Sequence, residues 1–207
     1  LRAGGLPATK ARGVPTNRYR PIPGVPKQWH VICPNTFVPG KRNPLVAQYC
    51  EQFAPVLPSL FIGSMENPAI VDMTRCGGIP LNKPGIPQRN GIQLGGRAPY
   101  AAMPLLFNAS EFCIVGSQEE AGPWVALEAM ACGVPTIVMA DCAWFVAEAF
   151  AELERDFGGV RVVPPCAEAI HAAVEDMRGQ YEYESIQARA AIVARYERVH
   201  DMYDPLD

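Results

Sequence analysis

Six short apolar runs alternate with helical patterns along this chain, and no other property narrows its architecture so far. The runs are Trp29–Cys33, Leu60–Gly63, Gly91–Gly95, Phe112–Gly116, Pro135–Ala140 and Val160–Val163. They are short and largely apolar on both faces, as expected for strands covered by helices on two sides. Helix punctuation fills the stretches between. Asn43-Pro44 sets a capping side chain before a Pro at the first helical position and opens a helix to about Pro55. Asn67-Pro68 repeats the device, and Gly77-Gly78 closes that helix. Gly122-Pro123 opens a helix that Gly133 ends, and Pro99 opens another that Pro104 would kink. Towards the C-terminus, Ala167–Met177 and Glu184–Tyr203 read as helices, the second with Ile186, Ala190, Val193, Tyr196 and Val199 along one face. Such alternation predicts an α/β protein: a Rossmann-like, doubly wound parallel sheet with helices on both sides.

Composition removes several alternatives. A formal charge of -3 and a pI near 5.7 lack the basic excess of a nucleic-acid binder. No apolar run reaches the roughly eighteen residues of a transmembrane segment, and no charged-then-apolar secretory segment opens the chain. The first residue is Leu1, which is expected of a piece of something longer. The seven cysteines form no CxxC pair and are widely spaced, which reads as reduced, mostly buried thiols of a cytoplasmic protein rather than a zinc or disulfide framework. Fifteen of the 21 prolines fall in the first hundred residues. We therefore divide the chain into an extended lead-in over 1–27, a Rossmann-like domain over 28–165 and C-terminal helices over 166–207.

In a parallel sheet of this kind, ligands bind beyond the carboxyl ends of the strands, where loops run into helix N-termini. Those N-termini present unpaired N–H groups and partial positive charge, which suits phosphate. The run Phe112–Gly116 leads through Ser117–Ala121 to Gly122-Pro123 and then to the amides of Trp124 and Val125. Pro123 itself supplies no amide. Glu120 stands just before this helix and Glu128 two turns into it, among apolar neighbours. A carboxylate there is costly unless something bonds it, and a carboxylate accepts a vicinal pair of hydroxyls at once. One ligand could use both acids: a phosphate over the helix start with a hydroxyl pair at each glutamate, the outline of a nucleotide sugar. On the other reading, Glu128 is a structural carboxylate bonded to a neighbouring backbone amide.

The run from Ser117 to Pro135, with Glu120, Gly122-Pro123 and Glu128-Ala-Met-Ala-Cys-Gly-Val-Pro135, closely resembles the "S..EG.P...LEAMACG.P" signature of retaining glycosyltransferases of the GT-B fold. That sugar-nucleotide group, the group 1 type, includes sucrose, mannosyl and lipopolysaccharide transferases. "GVPTNRYRP", Gly13 to Pro21, resembles the "GVD...F.P" segment at the start of the family's C-terminal domain, and "IQLGGRAPYAAMPLLFNASEFCIVGS" resembles the run leading into the motif.

The resemblance implies that this chain is the donor-binding half of a GT-B fold. Glu120 would approach the donor sugar as the catalytic carboxylate, and Glu128 would hold the ribose hydroxyls. Gly122, Pro123 and the amides of Trp124 and Val125 would face the diphosphate, while Gly95, Gly96 and Arg97 would border the base. Lys41 and Arg42 in "GKRNP" are the candidates for the family's basic clamp, although Asn35 or Thr36 replaces the Arg usual a few residues earlier, and Ala121 stands where the family prefers Gly. The implied reaction is transfer of a sugar from a nucleotide-diphosphate sugar with retention, without cofactor or essential metal. The implied partner is an N-terminal acceptor-binding domain or a partner chain, through which the protein could also meet a membrane peripherally. A non-catalytic sugar-nucleotide-binding or interaction module with the same fold is the alternative. A GT-B-like epimerase or a dinucleotide-binding domain is a third reading, disfavoured because no GxGxxG follows the first strand.

Overall fold

The computed structural model of the protein describes residues 13–35, 39–53, 57–63, 92–95, 98–118 and 124–196. Among these residues, six strands form one sheet: β1 (Trp29–Pro34), β2 (Ser59–Ile62), β3 (Ile92–Gly95), β4 (Ser110–Val115), β5 (Thr136–Met139) and β6 (Val160–Val163). Their order is β3-β2-β1-β4-β5-β6 and every pairing is parallel. The chain runs outward from β1 to one edge, then returns to lay β4 on the other side of β1. The winding therefore reverses between β1 and β4, in register at Val31↔Phe112 and Ile32↔Cys113. Such a switch point opens a crevice beyond the carboxyl ends of the two strands.

Among the described residues, six α-helices cover the sheet: α1 (Asn43–Phe53), α2 (Met103–Asn108), α3 (Trp124–Ala131), α4 (Trp144–Asp156), α5 (Ala167–Arg178) and α6 (Tyr181–Arg195). Val31, Cys33, Phe112, Ile114 and Ile137 point to one face, where α1 and α5 add Val46, Tyr49, Ile170 and Val174. Ile32, Cys113, Val115 and Val138 point to the other, where α2, α3, α4 and α6 add Phe107, Leu127, Met130, Phe150 and Ile192. Burial on both faces is why the central strands carry apolar residues at successive positions. No helix among the described residues is long and apolar enough to cross a membrane.

Local chemistry sets the helix ends. The carbonyl of Arg42 accepts the N–H of Leu45 at 3.0 Å as the chain enters α1. The end of α3 is a Schellman turn: Val134 N–H donates to the Ala129 carbonyl at 3.0 Å and Gly133 N–H to Met130 at 2.8 Å, with Gly133 at φ 72°.

Several expectations need correction. Pro104 does not kink a helix, because a 3-10 turn over Tyr100–Ala102 precedes α2 and puts the proline in its first turn, where no N–H is required. The helix α4 had no marked start, and its N-cap Ala143 makes no side-chain capping bond. The last helix begins at Tyr181 rather than Glu184. The apolar face read from sequence is split among the described residues: Ile186 is 65% and Val193 40% exposed, whereas Tyr196 packs against the core. Ala188, Ala191 and Ile192 are buried instead, the two small alanines letting α6 lie close to its neighbours while Ile192 fills the core, and Ser185 donates to the Gly133 carbonyl at 2.6 Å. The helix expected over Asn67–Gly78 and the Gly122-Pro123 start lie outside the described residues.

Residues 13–21, in the stretch expected as lead-in, fold onto this face. Val14 and Tyr19 are fully buried in the core, and Val14 N–H donates to the Tyr196 carbonyl at 2.8 Å. Arg189 of α6 fastens the segment, donating to the carbonyls of Tyr19 at 2.7 Å, Ala131 at 2.9 Å and Thr16 at 3.2 Å.

Candidate functional site

Three loops meet beyond the carboxyl ends of the central strands. Gln118 N–H, after β4, donates to the Gly40 carbonyl, after β1, at 2.8 Å. Ala143 N–H, after β5, donates to the Gln118 carbonyl at 3.2 Å. Gly116 lets the first two close together: a Cβ there would stand 3.1 Å from the Lys41 carbonyl oxygen and 3.4 Å from that of Arg42. Backbone hydrogen bonds thus stitch these loops together beyond β1 and β4.

Lys41 ends a 3-10 turn over Pro39–Lys41 and is partly buried. Arg42 follows in a left-handed backbone conformation at φ 50°, unusual for a residue with a side chain. Its guanidinium reaches Asp141 in the loop after β5 through two bonds of 2.6 Å. That pairing raises the arginine's pKa and lowers the aspartate's, in each case chiefly through the hydrogen bonds. Asn35, which stands where a clamping arginine was expected, is buried and turned to the Cys33 sulfur at 3.6 Å. It contributes no charge to the crevice.

Trp124 and Val125 form the first turn of α3, partly buried against the core, so the helix start is held by packing. Their amides belong to the turn that lacks intrahelical acceptors. Glu128 lies one turn further on and is largely buried. Burial is the main cause that pushes its pKa to about 7, against the opposing pull of the Tyr19 and Tyr100 hydroxyls. Tyr19 comes from the lead-in and Tyr100 from the turn before α2, so three separated segments converge on this carboxyl. Although the Tyr19 hydroxyl lies near enough to act on Glu128, it completes no hydrogen bond of proper geometry. The contact is a polar approach, not a closed bond. Arg18 stacks its guanidinium 5.2 Å above the Tyr100 ring.

Of the residues singled out from sequence, Lys41, Arg42, Trp124, Val125 and Glu128 are described, on the loop after β1 and on α3. Gly95 ends β3. Glu120, Gly96, Arg97, Gly122 and Pro123 lie outside the described residues. Sequence reasoning did not single out Tyr19, Tyr100 or Asp141 for the site. Tyr19 lies within the "GVPTNRYRP" segment, but nothing there signals a hydroxyl aimed at a residue more than a hundred positions away. No group of three or more metal-ligating side chains occurs among the described residues.

A family model for glycosyl transferases group 1 matches residues 87–191, half of the chain. No curated protein sequence matches it significantly. Among solved structures, Anabaena Alr3699/HepE in complex with UDP and glucose superposes with a TM-score of 0.69 at 18% identity, over 89% of this chain and 52% of that one. Sucrose-phosphate synthase (tll1590) from Thermosynechococcus elongatus gives 0.68 at 19% identity, over 89% and 47%. The C-terminal domain of LpcC, a glycosyl transferase group 1 family protein of Francisella tularensis, gives 0.66 at 16% identity, over 89% and 99%. The chain thus spans about half the length of the first two and nearly all of an isolated C-terminal domain. The fold is the Rossmann-like half of the GT-B architecture.

Proposed function

The chain belongs to the glycosyl transferases group 1 family, and from that premise we propose that it is the donor-binding half of a retaining glycosyltransferase. The observation that carries this reading is the convergence at the switch point. Arg42 and Lys41 follow β1, the start of α3 follows β4, and a buried carboxyl, Glu128, lies one turn inside that helix. A nucleotide-diphosphate sugar fits that order of chemistry. Its ribose offers Glu128 a vicinal diol, and its diphosphate meets the Trp124 and Val125 amides together with the Lys41 or Arg42 charge. Gly122 and Pro123 shape the approach to that helix start. Gly95, Gly96 and Arg97 border the base, and Glu120 approaches the sugar.

In this reading the departing diphosphate is stabilised by oriented amides and a basic side chain, the role a divalent metal takes in other transferases. Glu120 stands by the anomeric carbon as that charge develops. The acceptor is supplied by an N-terminal domain or a partner chain, so the chain alone binds donor and transfers little. Robust sugar transfer by the isolated protein would overturn that division of labour.

Calorimetric titration with UDP, GDP and ADP, free and sugar-linked, tests the donor site. We expect one of the three to bind, and binding to disappear in both Glu128→Ala and Lys41→Ala while their thermal unfolding stays cooperative. If none binds the wild-type protein, the proposal is wrong. Donor binding without transfer, even when an acceptor half is supplied, would favour a non-catalytic module, a reading that the uncharged Asn35 supports.

A further inference from the structure

Tyr19 is packed as core but chemically unfinished. Its ring is fully buried, with Phe107 at 6.3 Å between centroids and Tyr100 edge-on at 5.7 Å. Phe would fill that space equally well. The hydroxyl nevertheless ends beside the Glu128 carboxyl and the Tyr100 hydroxyl and closes a hydrogen bond with neither. Among the described residues it is the one buried side-chain oxygen or nitrogen left without a partner. A buried hydroxyl in that state carries its desolvation cost with no return, which native structures avoid unless the group has a further use.

The position is also fixed. Tyr19 N–H donates to the Pro15 carbonyl at 2.9 Å and Arg189 bonds the Tyr19 carbonyl at 2.7 Å, so the backbone is held, and packing of the fully buried ring holds the side chain. The hydroxyl is sealed from solvent, so a ligand reaches it only by displacing a neighbour; Tyr100, 51% exposed and edge-on to the Tyr19 ring at 5.7 Å, is the neighbour with room to move outward. A ligand hydroxyl entering there would meet an acceptor on α3 and a donor on the lead-in at once.

We propose that Tyr19 is a specificity-determining residue of the donor site, its hydroxyl and the Glu128 carboxyl gripping the vicinal diol of a nucleoside diphosphate from two sides. This rests on the donor-site reading above. Each ribose hydroxyl donates to a carboxylate oxygen and keeps lone pairs free, and the phenol O–H donates to one of them. A ribonucleotide completes both protein groups, whereas a deoxynucleotide leaves the phenol unpartnered again. A site built around such a bond discriminates strongly against the analogue that lacks it.

Titration of the protein with UDP, GDP and ADP and with their 2′,3′-dideoxy counterparts tests this. The wild-type protein should bind the ribo form of its nucleotide at least about tenfold more tightly than the dideoxy form. In Tyr19→Phe that ratio should fall by about five- to tenfold, through weaker ribonucleotide binding at unchanged dideoxy affinity and undiminished thermal stability. Tyr181→Phe, whose hydroxyl bonds the Glu111 carbonyl at the opposite end of the strands at 2.9 Å, should leave the ratio unchanged. Failure of the wild-type protein to bind any nucleotide defeats the donor-site reading itself. A wild-type preference for ribose that survives intact in Tyr19→Phe, or an equal loss for both forms, defeats the role of Tyr19 and leaves the donor site standing.

Discussion

The guanidinium of Arg42 grips the carboxylate of Asp141 through two bonds of 2.6 Å, across 99 positions of sequence. The pair ties the loop after β1 to the loop after β5 over the switch point. Asp141 is 43% exposed, so the pair contributes at most about 1 kcal/mol to stability. In the proposed donor site, its larger effect is to occupy a cation that a diphosphate would need.

Removing the competitor should therefore favour the ligand. Asp141→Ala is expected to change stability by no more than about 1 kcal/mol and to tighten nucleoside-diphosphate binding several-fold at low salt. Calorimetry on the wild-type protein and the variant decides it, and identical affinities would mean that Arg42 does not reach the phosphates.

Arg42 itself sits at φ 50°, a conformation that costs a residue with a side chain about 1–2 kcal/mol and costs glycine almost nothing. Arg42→Gly relieves that strain while losing the ion pair, so its Tm should equal or exceed the wild-type value. Nucleotide affinity should fall by about tenfold, as for loss of one charge-assisted bond. A large drop in Tm would show that the ion pair, not the backbone, governs this turn.

Glu128 should make stability depend on pH. In the fold it holds its proton to about pH 7, whereas an ordinary glutamate releases it near 4.5. Between those values the native state binds more protons than the unfolded chain, so stability falls as pH rises from about 4.5 to 7 and levels off above. The shift corresponds to roughly 3 kcal/mol. Glu128→Gln should match wild type in Tm near pH 4.5 and exceed it progressively up to pH 8. A difference that is constant across that range would mean Glu128 ionises freely in the fold.

Binding should run the other way. A diol donates both its hydroxyl protons only to the ionised carboxylate, so affinity for a nucleotide sugar should rise with pH through 7, by about tenfold between pH 6 and 8. Nucleotide sugars suit the measurement because their diphosphate does not titrate there. A flat profile would place the ribose away from Glu128.

Gly116 offers a test of the stitched loops beyond β1 and β4. Its added Cβ would press on the Lys41 carbonyl at 3.1 Å and on Val46 Cγ2 at 3.3 Å, where backbone must yield. Gly116→Ala should cost about 1–2 kcal/mol and weaken nucleotide binding by displacing the Lys41–Arg42 turn. Unchanged binding in a destabilised protein would separate that turn from the site.

The sheet was legible because its strands are covered on both sides: all six apolar runs became strands, within about two residues at each end. Asn43 and Gly133 marked helix limits by local chemistry, which a sequence displays. What could not be read depends on tertiary choice. The outward turn of Ile186 follows from the small residues that α6 presses on α3, and α4 starts without a capping side chain. The helix that carries Glu128 was legible from the glycine that ends it, while its Gly122-Pro123 start lies outside the described residues. The approach of Tyr19 and Tyr100 to Glu128, and of Asp141 to Arg42, was not, because no local periodicity links residues so far apart in the chain.

The hydrogen bond from Val14 to the Tyr196 carbonyl brings the two ends of the described polypeptide to one spot. Tension from any neighbouring segments would enter and leave at that spot, loading a single tether before any strand is peeled from the sheet. The same proximity makes the unit portable: joined there by a short linker and opened at a surface turn elsewhere, it should refold as a circular permutant with its crevice intact.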